Sequence, residues 1–361
     1  MSKSFDFCVI GAGLAGLHTA LELIERGVSV CVIDPNGIAG GASGTPVGLA
    51  NPATGRFASR TWMAEQSLSS LSNRLLGASD FSDHSFYKKS GILRPALDEK
   101  IASKMKKNID SDPWMQGSVE WLDQRDLNEI NPQVFSSYGG VWVPNGLTVN
   151  IPEYLSALKK VTENLGVEFI LNEDYTISKA VDWNMKFTNN ELASAANLIF
   201  TSGIWTRYSE FWNGLTLHAV KGQTLIVETN FPITFDHSVS ALGYFSKISG
   251  NTMILGSTYE HSFDNENPDE QGEKYIIERL SKVFPLFSDS ITVLNNWAGV
   301  RASTPDRKPF LGSNSTIDNC FVFAGLGSKG LLYSSMGAKI LVDHILDKIA
   351  IPAEISLNRF A

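Results

Sequence analysis

Cysteine is scarce: Cys8, Cys31 and Cys320 are the only three in 361 residues. An odd number without a CxxC pair excludes a disulfide framework, and the six histidines are too scattered to complete a zinc site. A reducing compartment is therefore expected. Positive charge is also in short supply, with 30 Lys and Arg against 38 Asp and Glu, a formal charge of -8. The summed field repels phosphate backbones and anionic lipid, which counts against a nucleic-acid partner. No stretch reaches the ~18 uninterrupted apolar residues of a membrane span. The opening run FDFCVIGAGLAGLHTAL has the outline of a signal peptide, but Asp6 interrupts it, and His18, Glu22, Glu25 and Arg26 add polar groups at its carboxyl end and beyond. The chain is therefore expected to be unprocessed and cytoplasmic. Neither a GxSxG elbow nor a GxxxxGK[ST] loop occurs, so serine hydrolysis and Walker-type nucleotide hydrolysis have no sequence support.

What is present is an ordinary globular composition, 43% hydrophobic and 19% charged, long enough for two or three domains. Phe5 to Ile10 (FDFCVI) and Val28 to Ile33 (VSVCVI) read as strands buried on both faces. Between them Leu14, Leu17, Leu21 and Ile24 mark one face of a helix that Gly27 ends. Gly11-Ala12-Gly13-Leu14-Ala15-Gly16 sits at the turn from strand to helix. Gly11 permits the tight turn, Gly13 lets backbone approach a pyrophosphate, and Gly16 lets helix and strand pack closely. The phosphates would lie at the positive end of the helix. Asp34 comes 21 residues after Gly13 (34 minus 13), where a carboxylate can accept hydrogen bonds from ribose hydroxyls, with Pro35 turning the chain beyond it. The pattern points to dinucleotide binding without separating FAD from NAD.

From Gly40 to Gly55 the sequence GGASGTPVGLANPATG lacks periodicity and reads as a long loop. Helical patterns come next in WMAEQSLSSLSNRLLG and DEKIASKMKKN, a strand end passes into a short helix over WLDQRDLNEINP, and VWVP reads as a strand. Pro152 opens a helix with Leu155, Leu158, Val161 and Leu165 on one face. Strands are expected at Val167 to Leu171 and Leu198 to Thr201. An antiparallel alternation runs from about Lys221 to Tyr259, then a helix near Glu273 to Val283 and a strand around Thr292 to Trp297. CFVFA, a glycine turn and a helix to about Lys348 close the chain.

Three stretches resemble one family. Gly41-Ala42-Ser43-Gly44 with Gly48-Leu49-Ala50-Asn51-Pro52, then WAGVRASTPDRKP from Trp297 to Pro309, then Gly325-Leu326-Gly327-Ser328-Lys329-Gly330-Leu331-Leu332 are together similar to the FAD-dependent D-amino-acid oxidase superfamily. That superfamily includes glycine oxidase, sarcosine oxidase and the oxidase domain of the bifunctional tRNA wobble-uridine modification enzyme. Leu198 to Thr206, containing Ser202 and Gly203, looks like its second flavin-contacting strand, and Lys221-Gly222-Gln223 like its return into the substrate domain. The resemblance implies an α/β fold: a Rossmann-like FAD-binding domain with a parallel sheet, and an α+β substrate domain whose sheet is mainly antiparallel. The FAD domain would be assembled from residues 1–60, 140–215 and 298–361, and the substrate domain from 61–139 and 216–297. Gly299-Val300 stands where sarcosine-oxidase-like members carry a flavin-linking cysteine, so the FAD is expected to be non-covalent.

Two residues are expected to carry chemistry. Lys329 is a cation at the start of a helix, where the macrodipole favours anions, so something negative is expected nearby; a reduced flavin is one source. An exposed lysine beside a glycine turn is the alternative. Arg301 presents a planar fork suited to a carboxylate, and the resemblance implies that it holds the substrate's and also lies among the FAD-contacting residues; the alternative is that it pairs with an acid such as Asp306 and ties down a loop. Tyr244, Tyr259, Trp62 and Tyr333 could wall a pocket or be core. His18 and His344 fall on helices where solvation suffices. Cys8 and Cys31 are expected to be inert core residues, and Lys100, Lys104, Lys106 and Lys107 to form a solvated basic face.

The expected activity is FAD-dependent oxidation of the C-N bond of a small amine or amino acid, with hydride transfer to the flavin and hydrolysis of the resulting imine. One alternative is the tRNA wobble-uridine side-chain oxidase, against which stand the net charge and the lack of the fused methyltransferase domain. The other is a flavin-dependent dehydrogenase of a hydroxy acid or phosphorylated alcohol. The sequence leaves oligomeric state open.

Overall fold

Five parallel strands form the layer on which the glycine turns sit. In the computed structural model, which describes residues 3–360, their order is Glu168–Leu171, Val30–Asp34, Lys3–Ile10, Leu192–Phe200, Cys320–Ala324. The middle strands are buried on both faces, which is why they read as unbroken apolar runs rather than as alternation. Cys8 and Cys31 are opposite one another in this register and have no exposed surface, in keeping with inert packing. Phe310–Ser313 adds an antiparallel edge. A hairpin, Tyr175–Lys179 with Trp183–Phe187, extends the amino-terminal half of Leu192–Phe200. The sequence reading assigned nothing to this hairpin, whose half-polar strands are short and gain their burial from distant partners such as Leu192–Phe200 and Phe211.

The second large sheet has the order Ile291–Ser303, His218–Thr229, Thr252–Gly256, Tyr244–Ser249, Ser238–Ser240, Ile92–Pro95, Gly140–Val143, Glu120–Leu122. Every pairing in it is antiparallel except Ser238–Ser240 with Ile92–Pro95. Its longest pair runs from His218 opposite Ser303 to Thr229 opposite Ile291, and Ile291–Ser303 passes without a break through residue 298. The mixed α/β class expected from the sequence is the class observed.

Four helices seal the glycine-turn side of the parallel layer. Leu14, Leu17 and Leu21 of Leu14–Glu25 share one core with Leu68, Leu71 and Leu75 of Ala64–Ala78, with Tyr154, Leu155 and Leu158 of Ile151–Asn164, and with Leu331, Leu332 and Tyr333 of Gly330–Asp347. Each such leucine contributes about 2 kcal/mol by leaving water. Asn150 caps Ile151–Asn164, its side chain accepting from the Glu153 N–H at 3.1 Å. That helix ends at Asn164, so Leu165 leaves the face expected for it and is 47% exposed.

Two further expectations need correction. His18 is 1% exposed rather than solvated, because Ile151–Asn164 covers its side of the first helix. Its Nδ1 lies 2.8 Å from the Leu14 carbonyl and its Nε2 2.8 Å from the Tyr154 hydroxyl. The segment from Gly40 to Gly55 is not all loop: Val47–Ala50 pairs antiparallel with Leu147–Asn150, and Ala53–Thr54 with Ser59–Arg60. The first pairing joins segments about a hundred residues apart and the second is a hairpin of two-residue strands, and a run of Gly, Leu and Ala shows no alternation to announce either. No helix among the described residues is long and apolar enough to cross a membrane.

Candidate cofactor and substrate site

The carboxyl ends of four parallel strands converge. Lys3–Ile10 leads into Gly11-Ala12-Gly13, Val30–Asp34 ends on Asp34 and Pro35, Leu192–Phe200 leads into Ser202 and Gly203, and Cys320–Ala324 leads into Gly325 and the turn Gly327–Lys329. Ligands of open α/β sheets bind at this edge. Gly11 has φ +110, and a Cβ there would lie 2.8 Å from the Thr201 carbonyl oxygen and 2.9 Å from the Ser202 nitrogen. A Cβ on Gly16 would lie 1.8 Å from the Gly11 carbonyl oxygen, so helix and turn touch backbone to backbone. Thr201 Oγ1 donates to the Ile10 and Gly11 carbonyls at 2.8 and 3.0 Å, bracing the turn from the neighbouring strand. Thr201 fell inside the stretch Leu198 to Thr206 but was not singled out as the brace of the turn.

The helix beginning at Leu14 has no side-chain cap on Gly13 and no acid in its first turn, which leaves its positive end free for an anion. Ser43, on the short turn Ala42–Gly44, accepts from the Leu14 N–H at 3.1 Å. Asp34 accepts from the Ala12 N–H at 2.8 Å and, through its other oxygen, from the Asn36 N–H at 2.9 Å. Each oxygen keeps a lone pair for a hydroxyl. Burial pushes this carboxyl above its ordinary pKa, against the two backbone donors. Ala15 lies in the first helical turn, while Gly48, Leu49 and Ala50 lie on Val47–Ala50. At the fourth strand end, Gly330 and Leu331 open the final helix, and a Cβ on Gly330 would lie 3.5 Å from Leu14 Cδ1. The glycine turn, a helix end with no acid in its first turn and a carboxylate facing them fit the pyrophosphate and ribose of a dinucleotide.

Lys329 is half-buried beside the exposed Ser328 at this last turn. Its Nζ donates to the Arg307 carbonyl at 2.8 Å and lies 5.4 Å from the centre of the Tyr333 ring. Burial, with Arg307 nearby, lowers its pKa to about 8. Tyr333 and Trp62 meet edge to face at 6.2 Å, with Tyr333 fully buried among the helices.

The antiparallel sheet supplies the facing wall. Trp297, Gly299 and Arg301 alternate on one face of Ile291–Ser303, opposite Thr224, Gly222 and Val220. The Trp297 indole packs toward the Ala42–Gly44 turn, with its Nε1 3.4 Å from where a Gly44 Cβ would stand. Tyr244 ties this sheet to the small sheet that contains Val47–Ala50, its hydroxyl donating to the Val47 carbonyl at 2.9 Å. Arg301 lies across Gly222, where a Cβ would come 1.7 Å from Nη2. That Nη2 donates to the Thr258 carbonyl at 2.7 Å, and the guanidinium carbon is 4.3 Å from the centre of the exposed Tyr259 ring. Asp306, the acid nearest in sequence, is instead engaged by Arg359, with both contacts at 2.9 Å. Among the described residues no carboxylate lies within ion-pair distance of Arg301. Thr258 is the residue missed here, and Gly222, quoted only as part of Lys221-Gly222-Gln223, was not linked to Arg301; strand register brings Gly222 there, and the bridge between Lys221 and Glu260 brings Thr258. Elsewhere, Lys104 and Lys106 of the basic face rest over Phe57 and Trp121 at 4.4 and 4.7 Å.

The family model described as FAD dependent oxidoreductase matches residues 6–344, and the chain belongs to that family. It is an FAD-dependent oxidoreductase. Among curated relatives, the tRNA 5-methylaminomethyl-2-thiouridine biosynthesis bifunctional protein MnmC of Leptospira interrogans is 27% identical over 387 residues, which covers 98% of this chain and 59% of that protein. This chain thus spans less than two thirds of the length of that relative. Glycine oxidase of Geobacillus kaustophilus is 22% identical over 355 residues, covering 96% of this chain and 94% of that protein. The crystal structure of glycine oxidase from Geobacillus kaustophilus matches the fold with a TM-score of 0.86 at 21% identity, covering 99% of each chain.

Proposed function

We propose that the protein oxidises the C-N bond of a small amine or amino acid that carries a carboxylate, giving an imine that water hydrolyses. The observation that carries this reading is Arg301: a guanidinium stacked on Tyr259 at 4.3 Å, anchored through one nitrogen to the Thr258 carbonyl, with no acid committed to it among the described residues. The fork keeps donors for a substrate carboxylate, and Gly222 leaves the room it occupies. FAD, held non-covalently at the glycine turn, Asp34 and the Ser43 turn, supplies the hydride acceptor for the carbon beside the amine nitrogen. Arg301 fixes the far end of the substrate, so that productive geometry is set by binding rather than by a dedicated side-chain base. Lys329, at the start of the final helix, supplies positive charge from the turn that meets the end of the Arg301 strand at Ser303. With its pKa lowered to about 8 it can hold or release a proton near neutrality.

Anaerobic bleaching of the yellow holoenzyme by a panel of N-substituted glycines, D- and L-amino acids and simple alcohols tests the reading. Bleaching by carboxylate-bearing amines supports it; bleaching by hydroxy acids or phosphorylated alcohols alone would move the assignment to that class. A second reading, a tRNA-borne amine as substrate, draws support from the 27% identity to a bifunctional protein of tRNA 5-methylaminomethyl-2-thiouridine biosynthesis. A salt-sensitive gel shift with tRNA would favour it over the small-molecule reading.

A further inference from the structure

Behind Arg301, on the far face of the same sheet, lies an ion cluster in which a buried lysine meets a half-buried and an exposed carboxylate. Lys221 and Gln223 alternate with Val220, Gly222 and Thr224 along His218–Thr229 and so project away from the Arg301 side. Lys221 is 2% exposed, and its Nζ lies 2.9 Å from Asp269 Oδ2 and 3.4 Å from Glu260 Oε2. Burying an ammonium this deeply costs stability unless it is paired, and the pairing here joins two separate segments. Asp269 is itself fixed: it caps Glu270–Leu280 by accepting from the Gly272 N–H at 2.8 Å, and its backbone is held on both sides by the Gln223 amide at 2.8 and 3.0 Å.

The cluster reaches Arg301 through a short chain of bonds. The backbones of Lys221 and Glu260 exchange two hydrogen bonds of 3.0 Å. Glu260 Oε1 accepts from the Thr258 hydroxyl at 2.5 Å, and that hydroxyl accepts from the Gln223 N–H at 2.9 Å. The Thr258 carbonyl is the acceptor that anchors Arg301, and Tyr259, between Thr258 and Glu260, is the ring beneath the guanidinium. Thr258 and Tyr259, which touch Arg301, are thus held from behind by the backbones of Lys221 and Gln223 and by the Glu260 carboxylate that the Lys221 ammonium pairs with.

We propose that Lys221 is a positioning residue for Arg301: clamped by Asp269 and Glu260, it fixes the Thr258–Glu260 segment so that the guanidinium presents its free edge to a carboxylate. The inference rests on the carboxylate-binding role of Arg301. Without the ammonium the two carboxylates repel each other, the segment shifts, and the fork loses its fixed plane.

The test is the dissociation constant of glycolate, read from perturbation of the flavin absorbance band of the holoenzyme, with a thermal melt of each variant. Lys221→Met is expected to weaken glycolate about tenfold, Lys221→Arg to return it to within about twofold of the parent, and Lys221→Met to add nothing in an Arg301→Ala background. A purely structural lysine would lower the melting temperature while leaving the dissociation constant of the folded protein unchanged, and that result overturns the inference. If Lys221→Met fails to fold, Glu260→Gln keeps the acceptor for Thr258 and removes one of the two charges; an unchanged dissociation constant there overturns the inference equally. If Arg301→Ala alone leaves glycolate binding intact, the proposed function fails. If Arg301→Ala weakens it and Lys221→Met does not, only the role of Lys221 fails.

Discussion

The two walls of the site are built by opposite means. The parallel edge is made of backbone: Gly11, Gly13 and Gly16 within six residues, braced by Thr201 and faced by Asp34. The antiparallel wall is made of side chains, with Arg301, Thr258, Tyr259 and Tyr244 coming from strands and turns far apart in sequence and Gly222 serving only as space. A wall of backbone tolerates almost no added atom, whereas a wall of side chains tolerates substitution of its parts and loses affinity in steps. In the proposed function the first holds the dinucleotide, which is common to many reactions, and the second distinguishes one substrate from another.

That contrast can be broken by experiment, beginning with the largest effect. Gly16→Ala places a carbon 1.8 Å from the Gly11 carbonyl and is expected to cost more than about 3 kcal/mol, giving protein that is insoluble or isolated without flavin; the ratio of flavin to protein absorbance reads this out. A yellow, stable Gly16→Ala variant would remove the distinction between the walls. Arg301→Ala should leave flavin content unchanged while raising the KM for a carboxylate-bearing amine about a hundredfold, the worth of a charge-assisted pair. Lys329→Met should slow flavin reduction about tenfold and abolish an inflection near pH 8; an unchanged rate and pH profile would leave Lys329 as a surface lysine beside a glycine turn.

The smallest effect concerns the helices behind the glycine turn. Burial lowers the pKa of His18 from 6.5 to about 4, so the folded state binds fewer protons than the unfolded chain between those values. Stability should therefore fall as pH drops from 6.5 through 4, and His18→Gln should reduce that fall by a few degrees of melting temperature. His237, lowered by burial to about 4 in the other core, contributes in the same direction and remains as an internal comparison.

The same contrast explains how much was legible in the sequence. Gly11 to Gly16 and Asp34 could be read because a strand, a turn, a helix and a second strand succeed one another, so spacing alone encodes geometry. Arg301 and Lys329, whose roles stand as proposals, were singled out through the motifs around them. Gly222 and Thr258 were not, because the register of His218–Thr229 against Ile291–Ser303, and the return of the chain at Thr258, bring them to Arg301 across dozens of residues. His18 was misread for a related reason: helical spacing shows which face is apolar, but not that a second helix, through Tyr154, covers the polar one.

Anaerobic reduction of the holoenzyme by matched pairs of amines, identical except for the presence of a carboxylate, tests the central claim most directly. Rapid bleaching by the carboxylate-bearing member alone, lost in Arg301→Ala, is the predicted result. Equal bleaching by both members of each pair, or a preference that survives Arg301→Ala, would contradict it.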